Sequence, residues 1–138
     1  MILYRIPITD VKQSTNKIYA GIHWTKRKKI KDGILDYANI FCRPIKQIKS
    51  YPVEISYKFI FESRALDTLN CAYMAKMFED ALRSLEILED DDPKHVTRTI
   101  IEVVMVSKSK NKKILNDMGK KKVEKNNDWL EISIQQIK

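Results

Sequence analysis

Residues 53–61, Val-Glu-Ile-Ser-Tyr-Lys-Phe-Ile-Phe, alternate apolar and polar side chains in a strict period of two. Residues 67–93, DTLNCAYMAKMFEDALRSLEILEDDDP, follow a different period. The first stretch reads as a strand that buries one face. In the second, Cys71, Met74, Ala75, Met77, Phe78, Ala81, Leu82 and Leu85 share one face at about 100° per residue. Lys76, Glu79, Asp80 and Arg83 share the other. This spacing predicts a helix over Thr68–Leu88, with Asp67 or Thr68 capping its first turn. Beyond it, Glu89-Asp90-Asp91-Asp92-Pro93 forms an acidic loop closed by proline.

Outward from this pair, the remaining elements are shorter. Ile2–Ile8, interrupted by Pro7, suits a first strand. Lys26 to Lys31 is almost wholly basic and reads as a loop. Ile34, Leu35, Ala38 and Phe41 recur at helical spacing, and Pro44 marks the stop. Val96–Val106 is rich in β-branched residues and Trp129–Ile134 alternates, so both read as strands. They are expected to form a hairpin with a long basic tip at 107–127, where eight lysines fall. The order is β-(basic loop)-α-β-α-β-β. That is an α+β fold: a single domain spanning 1–138, a mixed sheet with about two helices on it.

The chain has 138 residues, 26 Lys+Arg against 18 Asp+Glu, a net charge of +8 and 43% hydrophobic residues. That suffices for one domain with a real core. No apolar run is long enough to span a membrane. The N-terminus lacks the basic start and cleavage site of a signal peptide. Two cysteines, Cys42 and Cys71, are too few for a disulfide framework or a four-cysteine zinc site. A cytoplasmic protein is expected. The positive charge favours a polyanionic partner, although a lysine-rich surface also follows from composition bias.

In this basic chain, Asp67 precedes the helix and Asp90, Asp91 and Asp92 follow it. Gathered carboxylates repel one another without a cation, and carboxylate and water oxygens are what Mg²⁺ requires. The plainer reading makes Asp67 a helix cap and the aspartate triplet a solvated turn. A straight helix of some 20 residues spans about 30 Å, so the two ends meet only if the helix stops near Leu85 and the loop folds back. Lys76 and Asp80 are spaced as a surface ion pair. Trp24 and Tyr19 lie beside basic residues, placed either to stack on bases or to enter the core. Cys71 reads as core. His23 and His95 lack a ligand pattern, and the absence of GxGxxG, GxSxG and P-loop motifs argues against a nucleotide cofactor and against acyl transfer.

With these segments quoted, the sequence resembles the RusA family of Holliday-junction endonucleases of bacteria and phages. Pro7 and Ser14-Thr15-Asn16-Lys17-Ile18-Tyr19 look like the family's proline and S-x-N-x-x-Y. Pro52-Val53-Glu54-Ile55 is similar to its P-V-x-I strand. Asp67-Thr68-Leu69-Asn70 stands for its D-x-D-N, Lys76 to Leu82 for K-x-x-x-D-A-L, and Asp90-Asp91 for its D-D. Trp129–Ile134 looks like the last strand. Leu69 occupies the place of the second aspartate, and Asn70 to Lys76 is about three residues longer than in the family. Asp90, Asp92, Asp80 or Glu62, or a residue of a symmetry-related subunit, is then a candidate for the third carboxylate.

The resemblance implies a structure-selective endonuclease that uses Mg²⁺ or Mn²⁺ and nicks paired strands of a four-way DNA junction as a homodimer. It would act in recombination and repair in a bacterial or phage-infected cell. Asp67, Asp91, Lys76 and Asn70 are the implied catalytic residues, and Asp67, Asp91, Asp90 and Asp92 the implied metal ligands. DNA phosphates would meet Lys26, Arg27, Lys28, Lys29 and Arg64, with Lys110, Lys112, Lys113, Lys120, Lys121 and Lys122 from the basic segment. The rival expectations are a non-catalytic basic nucleic-acid-binding protein and a nuclease for other branched DNA.

Overall fold

The computed structural model describes residues 1–15, 18, 21, 23–106, 113–115, 121–123 and 127–137, with 113–115 and 121–123 given as backbone. Its strands are β1 (Ile2–Pro7), β2 (Val53–Phe61), β3 (Val96–Met105), β4 (Lys113–Leu115), β5 (Lys121–Val123) and β6 (Trp129–Gln136), and its helices are α1 (Trp24–Phe41) and α2 (Ala72–Ser84). The main sheet has the order β1-β6-β2-β3. β6 pairs antiparallel with β1 and β2, and β3 runs parallel to β2. This is a small α+β domain, as its strand and helix periods imply.

The period of two in β2 is realised residue by residue. Val53, Ile55, Tyr57, Phe59 and Phe61 are buried and join one core with Ile34 and Ala38 of α1 and Met74, Phe78 and Leu82 of α2. The other sheet face is open. There the register sets Arg5, Glu131, Lys58 and Glu102 in one row across four strands, alternating in sign. Arg5 also lies over the Trp129 ring at 4.6 Å.

Four expectations are corrected. Val96–Val106 and Trp129–Ile134 form no hairpin, because β2 separates β3 from β6. Parallel strands require a crossover, which α2 supplies. β6 lies between β1 and β2. Lys26–Lys31 is helix rather than loop: α1 starts at Trp24, and Ile30, Ile34 and Ala38 repeat every four residues along its inner side. Lysines are good helix formers, and their unbroken run hid the period. The second helix is shorter than Thr68–Leu88. A 3₁₀ turn at Leu69–Cys71 precedes α2, which ends at Ser84. Within 107–127, expected as a loop, β4 and β5 pair as a short antiparallel ribbon.

The helix end has a local cause. Glu86 adopts φ 60°. Its N–H donates to the Arg83 carbonyl at 3.0 Å, and that of Ile87 to the Leu82 carbonyl at 3.0 Å. This is a Schellman cap with Glu where Gly is usual. Buried Leu82 and Ile87 provide its apolar contact. No helix among the described residues is long and apolar enough to cross a membrane.

Candidate functional site

Because the Schellman cap reverses the chain at Glu86, the acidic loop folds back along α2. Lys76, one turn into that helix, donates from Nζ to Asp91 Oδ2 at 2.7 Å and meets Asp80 Oδ1 at 3.2 Å. Arg83, two turns on, reaches Asp91 Oδ1 at 3.5 Å and Asp90 Oδ1 at 3.6 Å. The Lys76 bond holds the Asp91 carboxyl below the ordinary 3.8, and Asp91 in turn raises the Lys76 ammonium above 10.5. Asp91 is therefore an anion at any physiological pH.

Glu79 stands beside them on α2. Sequence periodicity puts it on the solvated face, but it is half-buried, and its Oε1 is enclosed without a hydrogen-bond partner. Burial pushes its carboxyl above the ordinary 4.5. The Tyr57 hydroxyl beneath is likewise enclosed and unpartnered. Burial first, then the Glu79, Asp80 and Asp91 charges, keep its proton on well above pH 10.0.

Asp92 is differently engaged. Its Oδ1 accepts from the backbone N–H of Lys94 and His95, both at 3.1 Å, and lies 2.6 Å from His95 Nδ1. One ligand-type atom each from Asp90, Asp92 and His95 falls within a 4.8 Å spread. Asp92 raises the His95 pKa above 6.5, and His95, which shows no ligand pattern in sequence, joins Asp90 and Asp92 in space as the group among the described residues whose ligand atoms lie close enough together to hold a metal ion.

Asp67 and Asn70 lie just before α2, at the end from which Lys76 is one turn in. Asp67 Oδ1 accepts from the Asn70 N–H at 2.8 Å and Oδ2 from Asn70 Nδ2 at 3.2 Å, which caps the 3₁₀ turn. Leu69, where the resemblance expects a carboxylate, is 80% exposed. Both residues line a cavity of about 490 Å³ with Lys12, Ser14 and Arg64. The cavity lies beyond the carboxyl ends of β1 and β2.

Of the expected phosphate contacts, Lys26, Arg27, Lys28 and Lys29 are exposed in the first turns of α1, where Arg27 also donates to the Ile18 carbonyl at 3.2 Å. Trp24, just before them, is 69% exposed and not core. Tyr19, Lys110, Lys112 and Lys120 lie outside the described residues. Lys113, Lys121 and Lys122 are placed only as backbone in the β4–β5 ribbon. Cys42 and Cys71 are buried, and burial pushes their thiols up to about 12 and about 11, which leaves them inert at neutral pH.

Sequence reading missed Asp128, which is buried at 1% exposure. Its partners lie more than 60 residues away, so no local spacing could reveal them. Glu79 and Arg83 were legible only as polar-face positions, though their spacing from Lys76 is the signal that groups them. No protein-family model matches the chain, and no curated protein matches it.

Proposed function

We propose that this protein is a Mg²⁺-dependent endonuclease for branched DNA, a four-way junction above all, acting as a homodimer. The carrying observation is the convergence of Asp80, Asp90 and Asp91 on Lys76 and Arg83 in a chain of net charge +8. With Glu79, four carboxyl groups stand beside two cations. Beside them, Asp90, Asp92 and His95 bring three ligand-type atoms within 4.8 Å of one another, and carboxylate oxygens suit a hard cation. Asp90 and Asp92 with His95 would hold that ion, which supplies Lewis-acid activation of water and neutralises phosphate charge.

The chain's own groups do the rest. Asp91 stays ionised and can accept a hydrogen bond from an attacking water. Lys76, drawn in by Asp91, is placed to meet charge developing on the phosphoryl oxygens. Arg83 holds Asp90 and Asp91 in place. Asp67 and Asn70, bonded to each other just before α2, act in strand binding on this reading. The cations of α1 and exposed Trp24 would grip backbone and base. Two equivalent strands to be cut match an isologous dimer with two equivalent sites.

A second reading, a DNA-binding protein without catalysis, is favoured by exposed Leu69 in place of a carboxylate. Incubating the protein with a labelled four-way junction and a matching linear duplex, in Mg²⁺ or EDTA, separates the two. Paired nicks on the junction that EDTA abolishes are the expected result. Tight junction binding without nicks in Mg²⁺ or Mn²⁺ would leave only the binding protein.

A further inference from the structure

We propose that the cavity beyond β1 and β2 seats one phosphodiester group of a bound nucleic-acid strand, with Arg64 as the contact and Lys12, Ser63 and Asp128 as positioning residues. The inference deepens the DNA-cleaving reading and rests on it only for the strand being DNA.

Among the described residues, Asp128 is the one charged side chain that is buried. Its Oδ1 accepts from the N–H groups of Glu62 at 3.0 Å and Ser63 at 3.1 Å. Its Oδ2 accepts from the Ser63 hydroxyl at 2.5 Å and faces Lys12 Nζ at 3.5 Å. Lys12 also donates to Ser63 Oγ at 2.9 Å and to the Arg64 carbonyl, and it lies 4.7 Å over the Phe61 ring. The Asp128 N–H donates to Thr9 Oγ1 at 2.9 Å, and its carbonyl accepts from the Ile8 N–H at 2.9 Å.

A buried charge pair is weak support for stability and is better understood as fixing one geometry. What it fixes here is the backbone of residues 62–64. Arg64 therefore leaves a rigid base, and it is exposed and lines the cavity. Its planar guanidinium fork matches two phosphate oxygens. Lys12 has three N–H donors, and Ser63, Arg64 and Asp128 face all three, so it contributes anchorage rather than a ligand contact. Asp67, the anion in the cavity wall, is bonded twice by Asn70, which tempers its repulsion of a phosphate.

The test measures affinity of the full chain for a labelled 20-base-pair duplex across a KCl series in EDTA. Protein that never nicks DNA therefore leaves the test intact. Arg64→Gln is expected to weaken binding about fivefold and to lower the salt slope by about 0.9, one phosphate contact. Asp128→Asn and the milder Ser63→Ala, which guards against loss of folding, are expected to move the slope the same way without touching DNA. Each combined with Arg64→Gln should fall no further than Arg64→Gln alone, and Lys49→Gln, at the opposite end of the sheet, should change neither slope nor structure. Melting temperatures that shift while the slopes stay at wild type would overturn the positioning role, as would full additivity with Arg64→Gln. A duplex slope unmoved by Arg64→Gln, with inorganic phosphate still binding the wild type, would mean a site for the free ion and overturn the strand assignment.

Discussion

Tyr57 occupies the middle of β2 with its ring in the core and its hydroxyl enclosed without a partner. An unpaired buried hydroxyl costs about 1–3 kcal/mol, so Tyr57→Phe is expected to raise stability by about 1 kcal/mol in thermal unfolding. A loss of that size would show the hydroxyl to be paired. Asp128 is the opposite case, a buried charge with every oxygen used. Burial raises its carboxyl, but the Ser63 hydroxyl and backbone bonds outweigh that and hold it below 3.8. A depressed folded-state value stabilises above the unfolded value and is lost as pH falls through the folded one. Asp128→Asn should therefore cost about 3 kcal/mol at neutral pH and flatten the acid limb of the stability curve below about pH 4. Superimposable acid limbs in denaturant titrations would contradict this. Neither residue's role is legible in sequence. Tyr57 reads correctly as core, yet the fate of its hydroxyl depends on what α2 lays over it.

At the scale of elements, periodicity carries far where one face is plainly apolar and fails where charge runs unbroken. β2 and the apolar face of α2 lie as their periods require. Lys26–Lys29 half-hides α1, and α2 ends four residues before the Leu88 that its period predicts, because Glu86 caps it without giving a glycine signal. That cap should bear improvement. Glu86→Gly removes a left-handed-region cost of about 1 kcal/mol and is expected to raise the melting temperature by about 4 °C; an unchanged or lower value would show the turn to be unstrained. α1 has no acid in its first turn and starts with cations, which the helix dipole disfavours. Lys26→Glu should accordingly stabilise the protein by about 0.5 kcal/mol while weakening duplex binding at low salt. Stabilisation with unaltered binding would remove α1 from the nucleic-acid surface.

Across the whole molecule, the +8 charge is unevenly placed. The open sheet face alternates in sign along the Arg5–Glu131–Lys58–Glu102 row, so it offers little to a polyanion. Among the described residues, four consecutive exposed cations, Lys26, Arg27, Lys28 and Lys29, stand in the first turns of α1, and Arg64 is exposed beside the cavity. The carboxylates divide between the turn before α2 and the loop that folds back along it, which the linear order of Asp67, Lys76 and Asp91 could not disclose. The α+β class and the pairing of Lys76 with Asp80 were legible, because both depend on local period. The sheet order was not, since inserting β6 between β1 and β2 depends on contacts over 70 residues apart. The grouping of Asp91 with Lys76 required the helix to end early, a condition set by one residue's backbone angle.

The proposed cutting of phosphodiester bonds at the Lys76–Asp91 cluster is checked most sharply by Asp91→Asn. Single-turnover nicking of a four-way junction in Mg²⁺ should fall by at least about a thousandfold, while junction affinity in EDTA stays equal or tightens as repulsion of phosphate is relieved. Nicking by Asp91→Asn at the wild-type rate would contradict the claim.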